Sequence, residues 1–340
     1  DEEALTGAPG AHRVVGAPHS SGYLILTNNL AADTVTVGGE VPASSPNEGD
    51  TTPASAFSEK ETYAGIGWDF TADWAWDEEA SQPVPAAFLP DGLDEPGEEE
   101  QLAIDGLEGH GTEQEPFLVG TADELATYVT AVNESVESGI GNLESGHVQM
   151  AADIDFGGRP HPGITRLTGS FDGNGHRITN IVYGPGANSN ELGFIRALDG
   201  GELRILTIDG LVVEETGDFR VAGFVLVANN HAVIDGNSLT NAQLTSGNQY
   251  VAGLAVTAEY EATITNNWVH GNFTSTRYGS ATVGYGRHGV TVKNNLVDAT
   301  VVATGNRAHA GLLLGYMGGT GGGEGGSVLT NNVVYGGLVD

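Results

Sequence analysis

A four-residue phrase returns along this chain at a nearly fixed interval, and that return limits the folds open to it. Val221-Ala222-Gly223-Phe224 reappears as Val251-Ala252-Gly253-Leu254, 30 positions later. Leu192-Gly193-Phe194-Ile195 lies about the same distance upstream, and Ala310-Gly311-Leu312-Leu313 is a later variant. A second phrase falls between these: Ile264-Thr265-Asn266-Asn267-Trp268-Val269, Val292-Lys293-Asn294-Asn295-Leu296-Val297 and Val328-Leu329-Thr330-Asn331-Asn332-Val333. Ile178-Thr179-Asn180-Ile181 and Ile234-Asp235-Gly236-Asn237 are weaker members. Each period of about 28–37 residues therefore holds two or three short strands joined at Gly or Asn corners. Strands too short to bury a face alone are stabilised by stacking period on period, which is the logic of a solenoid. Asn suits such a corner twice over. It tolerates the left-handed backbone of a sharp turn, and its amide can hydrogen-bond to the coils above and below. The spacing predicts that Asn267, Asn295 and Asn332 share one edge, joined by Asn29 of Tyr23-Leu24-Ile25-Leu26-Thr27-Asn28-Asn29-Leu30.

Composition agrees with an all-β chain. There are 52 glycines among 340 residues without a three-residue period, and 39% of residues are hydrophobic, many in alternating β-branched runs. The 45 acidic residues against 12 Lys plus Arg leave a net charge of −33, which repels nucleic acid and anionic lipid. Cysteine is absent, which removes disulfides, thiol catalysis and zinc-thiolate sites. No apolar run is long enough to span a membrane.

One segment leaves the β pattern. Thr121-Ala122-Asp123-Glu124 reads as a capping box, and Leu125, Tyr128, Val129 and Val132 follow at helical spacing. A helix over Ala122–Val136 is expected, placed to cover an open solenoid end. Ahead of it, residues 91–115 carry ten acids and read as a solvated connector, with loosely held calcium the one cofactor to consider. The organisation expected is residues 1–90 as coils with a Trp-rich segment, 91–115 as linker, and 116–340 as helix plus coils.

Few residues invite a chemical reading. Asp153, Asp155 and Asp172 are close enough in sequence to suggest paired carboxylates, but Asp172-Gly173-Asn174-Gly175 is turn chemistry, and His176 belongs to the same turn. No His-Glu-x-x-His, phosphate-binding loop or nucleophile elbow occurs. Trp68, Trp74 and Trp76 with Phe70 and Tyr63 form an aromatic concentration, read as a core plug rather than a glycan platform. Asn133-Glu134-Ser135 and Asn272-Phe273-Thr274 are N-glycosylation sequons.

With these residues in view, the chain resembles the GLUG-repeat β-helices of bacterial and archaeal surface proteins, repeats also found beside IgA-specific metallopeptidases and in large adhesins. Gly111-Thr112 with Pro116-Phe117-Leu118-Val119 is similar to the family's opening, and the helix follows it. Asp153-Ile154-Asp155-Phe156 and Gly169-Ser170-Phe171-Asp172-Gly173-Asn174-Gly175-His176-Arg177-Ile178 resemble its most distinctive stretch. The resemblance implies a right-handed parallel β-helix on the cell exterior, usually without catalytic residues.

The order of parts departs from the family's. Gly67-Trp68-Asp69-Phe70, Trp74 and Pro83 to Leu89 look like the segment that closes such a unit, yet here they precede the helix. Joining the chain ends restores the order: Asn28-Asn29 then follows Asn331-Asn332 by 37 positions, the spacing that separates Asn294 from Asn331. The expectation is a non-catalytic module of a surface fibre or giant adhesin, residues 1–90 completing the β-helix of a neighbouring copy head to tail. Completion within the same chain, which the 25-residue acidic linker is long enough to permit, and a covalent tandem array are the other arrangements that restore the order. A monomeric carbohydrate-binding adhesin module, with surface glycans as partners, is the alternative; a carbohydrate-active β-helix enzyme is a third reading.

Overall fold

The structure is a computed structural model, and it describes residues 14–18, 24–37, 40–68, 70, 74–77, 81–85, 101–184, 190–247, 249–305, 308–318 and 326–339. Parallel strands stack as a β-solenoid of about six turns, a parallel β-helix as the repeats predict. Each turn visits four sheets in a constant order. In one turn Ile195–Asp199 belongs to sheet III, Glu202–Arg204 to sheet I, Thr207–Asp209 to sheet II and Arg220–Ala222 to sheet IV. Val225–Asn229 then stacks on Ile195–Asp199 and starts the next turn.

The short strands explain the sequence pattern. A sheet I strand presents one residue inward between two that face outward, so Phe171, Leu203, Ile234, Ile264, Val292 and Leu329 form a fully buried column. Sheet II stacks Ile178, Ile208, Leu239, Val269, Val297 and Val334 the same way. Burying each such side chain contributes roughly 1.5–3 kcal/mol, and every column repeats the gain along the axis.

Both ends are covered. The helix spans Ala122–Ser138, two residues beyond the expected end, and buries Leu125, Tyr128, Val129 and Val132. Thr121 Oγ1 accepts from the Glu124 N–H at 3.2 Å, while the Glu124 carboxylate accepts from the Gly120 N–H at 2.9 Å. That second bond reaches one residue further back than in the usual capping box, and with the Thr121 contact it holds the Glu124 pKa below the ordinary range. Gly139, at φ 67°, ends the helix in the left-handed conformation.

The acidic connector is partly folded, where composition suggested solvation throughout. The Leu102 N–H donates to His110 O at 2.7 Å, Glu108 bridges Leu118, and Ile104 is 7% exposed. Leu102, Ile104 and Leu107 supply the apolar surface that draws residues 101–110 onto the solenoid end. Asp91, Asp94, Glu95, Glu98, Glu99 and Glu100 lie outside the described residues. Among the described residues no group of three or more His, Asp or Glu is placed to hold a metal ion.

Candidate functional site: the junction of the two chain ends

The asparagine pairs divide their work between two positions. Asn28, Asn266, Asn294 and Asn331 all take φ between 53° and 57°, making the left-handed corner. The second member of each pair turns inward. Asn237 Nδ2 donates to Asn267 Oδ1 at 3.1 Å, Asn267 to Asn295 at 2.9 Å, Asn295 to Asn332 at 3.0 Å and Asn332 to Asn29 at 3.0 Å. Each amide also donates backwards to a main-chain carbonyl of the preceding coil, such as Asn295 to Ile264 O at 3.0 Å. Each Oδ1 accepts in addition the neighbour's backbone N–H, as Asn295 Oδ1 does from Asn267 at 3.0 Å. The result is a buried ladder of five asparagines along the sheet I–sheet II corner.

The last rung crosses from one end of the chain to the other. Val15–Pro18 pairs with Leu314–Met317, Leu24–Thr27 with Ser327–Thr330, and Leu30–Ala32 with Val333–Val339. These pairings are parallel and in the register of every other coil, so Val15–Pro18, Leu24–Thr27 and Leu30–Ala32 form the next turn after the C-terminal one. The structure makes this junction within one chain. Asp50–Thr52 then adds to Leu30–Ala32, and Gly49 takes the place of a sixth ladder asparagine. A Cβ there would approach Asn29 O at 2.9 Å, so the ladder ends where a side chain no longer fits.

An aromatic plug seals the coil. Trp68 and Trp74 stack with ring centroids 4.1 Å apart and are 4% and 0% exposed. The Trp68 indole N–H donates to Asn331 O, and the Tyr63 and Tyr335 hydroxyls bond to each other. Burial pushes the Tyr63 pKa up to about 12. The tryptophan cluster read as a plug thus packs the closing coil against the final coils through Tyr63–Tyr335 and Trp68–Asn331; Trp76 and Phe70 are only partly buried.

The acidic trio serves turns. Asp172 accepts from the Asn174 N–H at 2.7 Å, inside a turn where Asn174 and Gly175 have φ of 50° and 76°. Gly173 is required for a different reason: a Cβ would meet Ile205 O and Leu206 Cα at 2.4 Å, so the next coil forbids one. Asp153 accepts from the Arg177 N–H at 3.0 Å and contacts His176 Nδ1 at 3.1 Å. Asp155 accepts from Asn180 Nδ2 and the Gly157 N–H, both at 2.8 Å. These contacts hold the Asp153 and Asp155 pKa values below the usual carboxylate range, chiefly through the Arg177 and Asn180 bonds. A general acid at neutral pH needs the opposite shift.

The sequons separate sharply. Asn133 donates to Gly163 O at 3.0 Å and accepts from the Thr165 N–H at 2.7 Å, so its amide ties the helix to the first coils. Asn272 is exposed in a shallow groove of about 260 Å³ that His270, Gly271, Asp298 and Thr300 also line.

A second aromatic group escaped the sequence reading because its members are far apart. Tyr250, Tyr278 and His309 stand in register on sheet IV, and Tyr285 and Tyr316 in register on sheet III. The Tyr278 ring lies 4.7 Å from Tyr250, 4.8 Å from Tyr316 and 5.8 Å from Tyr285. The signal was legible: 28 positions separate Tyr250 from Tyr278 and 31 separate Tyr285 from Tyr316, both within the coil period.

No family model, curated protein or solved structure matches the chain. Among the described residues no helix is long and apolar enough to cross a membrane.

Proposed function

We propose that this chain is a non-catalytic structural module of an extracellular surface fibre or giant adhesin, in which residues 1–90 complete the solenoid of a neighbouring copy. The observation that carries the reading is the seam itself. Among the described residues the closing coil joins the C-terminal one by backbone ladders, the Asn332–Asn29 rung, the Asn29–Leu329 and Thr27–Thr330 hydrogen bonds and the aromatic plug. A second copy's segment meets the same surface. Head-to-tail exchange at a seam of this kind does not close, so it propagates.

The tether favours exchange. Fifteen residues separate Pro85 from Gln101, with a reach of about 50 Å when fully extended and a relaxed end-to-end distance of roughly 20–25 Å. Within one chain Pro85 belongs to the plug at one end of the stack and Gln101 adjoins Leu102 at the other. The nine strands of sheet I alone set about 38 Å at ~4.8 Å per spacing. Between successive copies the same fifteen residues have only one junction to span, and every contact is kept. The turn roles of Asp153, Asp155 and Asp172 support a module without catalysis. The acidic surface, which keeps a long fibre soluble, supports an exterior location.

The test uses the absence of cysteine. Thr27 and Thr330 are register partners with hydroxyls 2.7 Å apart. Their Cα atoms, at the ~4.8 Å of neighbouring strands, suit a disulfide. Oxidation of the Thr27→Cys/Thr330→Cys variant is expected to give a ladder of covalent multimers on a non-reducing gel. A single cross-linked monomer band at all protein concentrations overturns the exchange.

A further inference from the structure

We infer that the tyrosine column around Arg277 is a binding site for an acidic glycan, a polysaccharide carrying carboxylate groups, laid along the solenoid axis. The argument begins with charge. Eight of the ten arginines are described, and seven of them are committed to carboxylates or main-chain carbonyls. Arg159 pairs with Asp123, Arg166 with Asp199, Arg177 with Asp209, Arg204 with Asp172, Arg220 with Glu191 and Arg287 with Glu259. Arg196 donates to the carbonyls of Pro162 and Glu191. Arg277 alone among them has neither. Its guanidinium is exposed and lies beside two stacked rings, 5.3 Å from the Tyr250 centroid and 5.4 Å from that of Tyr278. On a chain of net charge −33, an exposed cation left without a carboxylate has a free donor edge for an anion from outside.

The rings define what kind of anion. Tyr250, Tyr278, Tyr285 and Tyr316 pack face to face across three successive coils, with centroids 4.7–5.8 Å apart and planes within 20°. Their faces are therefore occupied by one another, and a sugar ring cannot stack between them. What they offer is their edges. The four tyrosines are half-buried, their hydroxyls make no hydrogen bond with any described residue and none is a buried orphan. The hydroxyls therefore keep free donor and acceptor capacity, that of Tyr285 lying against Gly318. Glu191 and Glu259 are already paired, with Arg220 and Arg287 respectively. A row of hydroxyls stepping once per coil beside one planar cation suits a linear polymer with repeating hydroxyls and carboxylates. An acidic peptide would use the cation but not the row. The inference does not depend on whether copies of the chain exchange their closing coils.

Titration calorimetry with oligogalacturonate is the deciding experiment, run on the full chain at 0.15 M and 1 M salt because long-range repulsion by the acidic surface is screened at the higher salt. Heparin, neutral dextran and poly-glutamate are the comparison ligands. Oligogalacturonate is expected to bind. Arg277→Ala should weaken it at least tenfold, Arg277→Lys should restore it only in part, and Tyr278→Phe should weaken it several-fold, all with unchanged melting temperature. Heparin binding comparably would keep the glycan site but assign it to anionic sugars generally. Absence of binding at both salts, equal binding of dextran or poly-glutamate, or an undiminished affinity in Arg277→Ala overturns the inference.

Discussion

Replacing Asn295 by Leu removes one rung from the middle of the asparagine ladder, and the structure allows its cost to be worked out. The side chain is fully buried and close to leucine in size, so cavity formation is a small part of the change. Its Nδ2 donates to Ile264 O, Lys293 O and Asn332 Oδ1, each at 3.0 Å, and its Oδ1 accepts from Asn267 N at 3.0 Å and Asn267 Nδ2 at 2.9 Å. Four of these five bonds run to the neighbouring coils. Asn332 Oδ1 keeps the Asn295 backbone N–H at 2.9 Å, and Asn267 Nδ2 keeps Ile234 O and Thr265 O. The Asn267 backbone N–H keeps nothing, and an orphaned buried donor costs about 1–3 kcal/mol. Adding a net ~1 kcal/mol for each of one or two further bonds gives about 2–5 kcal/mol, partly offset by the leucine's own apolar burial. Urea unfolding followed by circular dichroism should show a lower midpoint at unchanged slope, since the surface exposed on unfolding is the same. Asn28→Gly is the control, because Gly accepts the φ of 53° at that corner without strain and the Asn28 side chain is exposed. A loss below about 1 kcal/mol for Asn295→Leu would refute the reasoning, since it would mean that coils stack as well without the rung.

Three further outcomes are expected. Ile205 occupies the corner position taken by asparagine in later coils and has φ 53°, a strained conformation for a β-branched residue; Ile205→Asn should raise stability by roughly 0.5–1 kcal/mol in the same urea assay. Buried His161 donates its Nε2–H to Phe194 O at 2.9 Å, and desolvation lowers its pKa from 6.5 to about 4. A depressed histidine pKa means the unfolded chain takes up the proton first, so the folded state's advantage is complete above pH 6.5 and is lost as pH falls towards 4. That loss amounts to about 3 kcal/mol at ~1.4 kcal/mol per pKa unit. Unfolding at pH 7.5 and 4.5 should therefore show a smaller acid penalty for His161→Gln than for the parent, and equal penalties would reject the assignment. Expressed in a host with N-glycosylation machinery, the chain should carry glycan at Asn272 and not at Asn133, whose amide is engaged on both sides; peptide mass spectrometry reads the two sites separately.

The repeat alone determined the solenoid. Strands with one inward residue and an Asn or Gly corner cannot bury a core singly, so recurrence every 28–37 residues specifies stacking before any coordinate is known. The cap helix was equally local, written in Thr121, Glu124 and the Leu125–Val132 spacing. The ladder was legible as register, but its division of labour was not. Only the folded corner distinguishes Asn294, which takes the left-handed φ and reaches Asn266, from Asn295, which turns inward and bonds to the coils on both sides, since both have the same side chain. Gly173 was read as a turn residue, yet it is the approach of Ile205 and Leu206 that excludes a Cβ. The folding of Leu102, Ile104 and Leu107 onto the solenoid end was hidden because ten acids mask three apolar residues in any average over the segment. The tyrosine column was decided by tertiary structure for a related reason: its residues are one coil apart, so their proximity exists only once coils are stacked in register. Local sequence sets backbone conformation and burial pattern through short-range sterics and hydrophobicity. Which side chains then face one another across ~4.8 Å is set by register, a property of the whole stack.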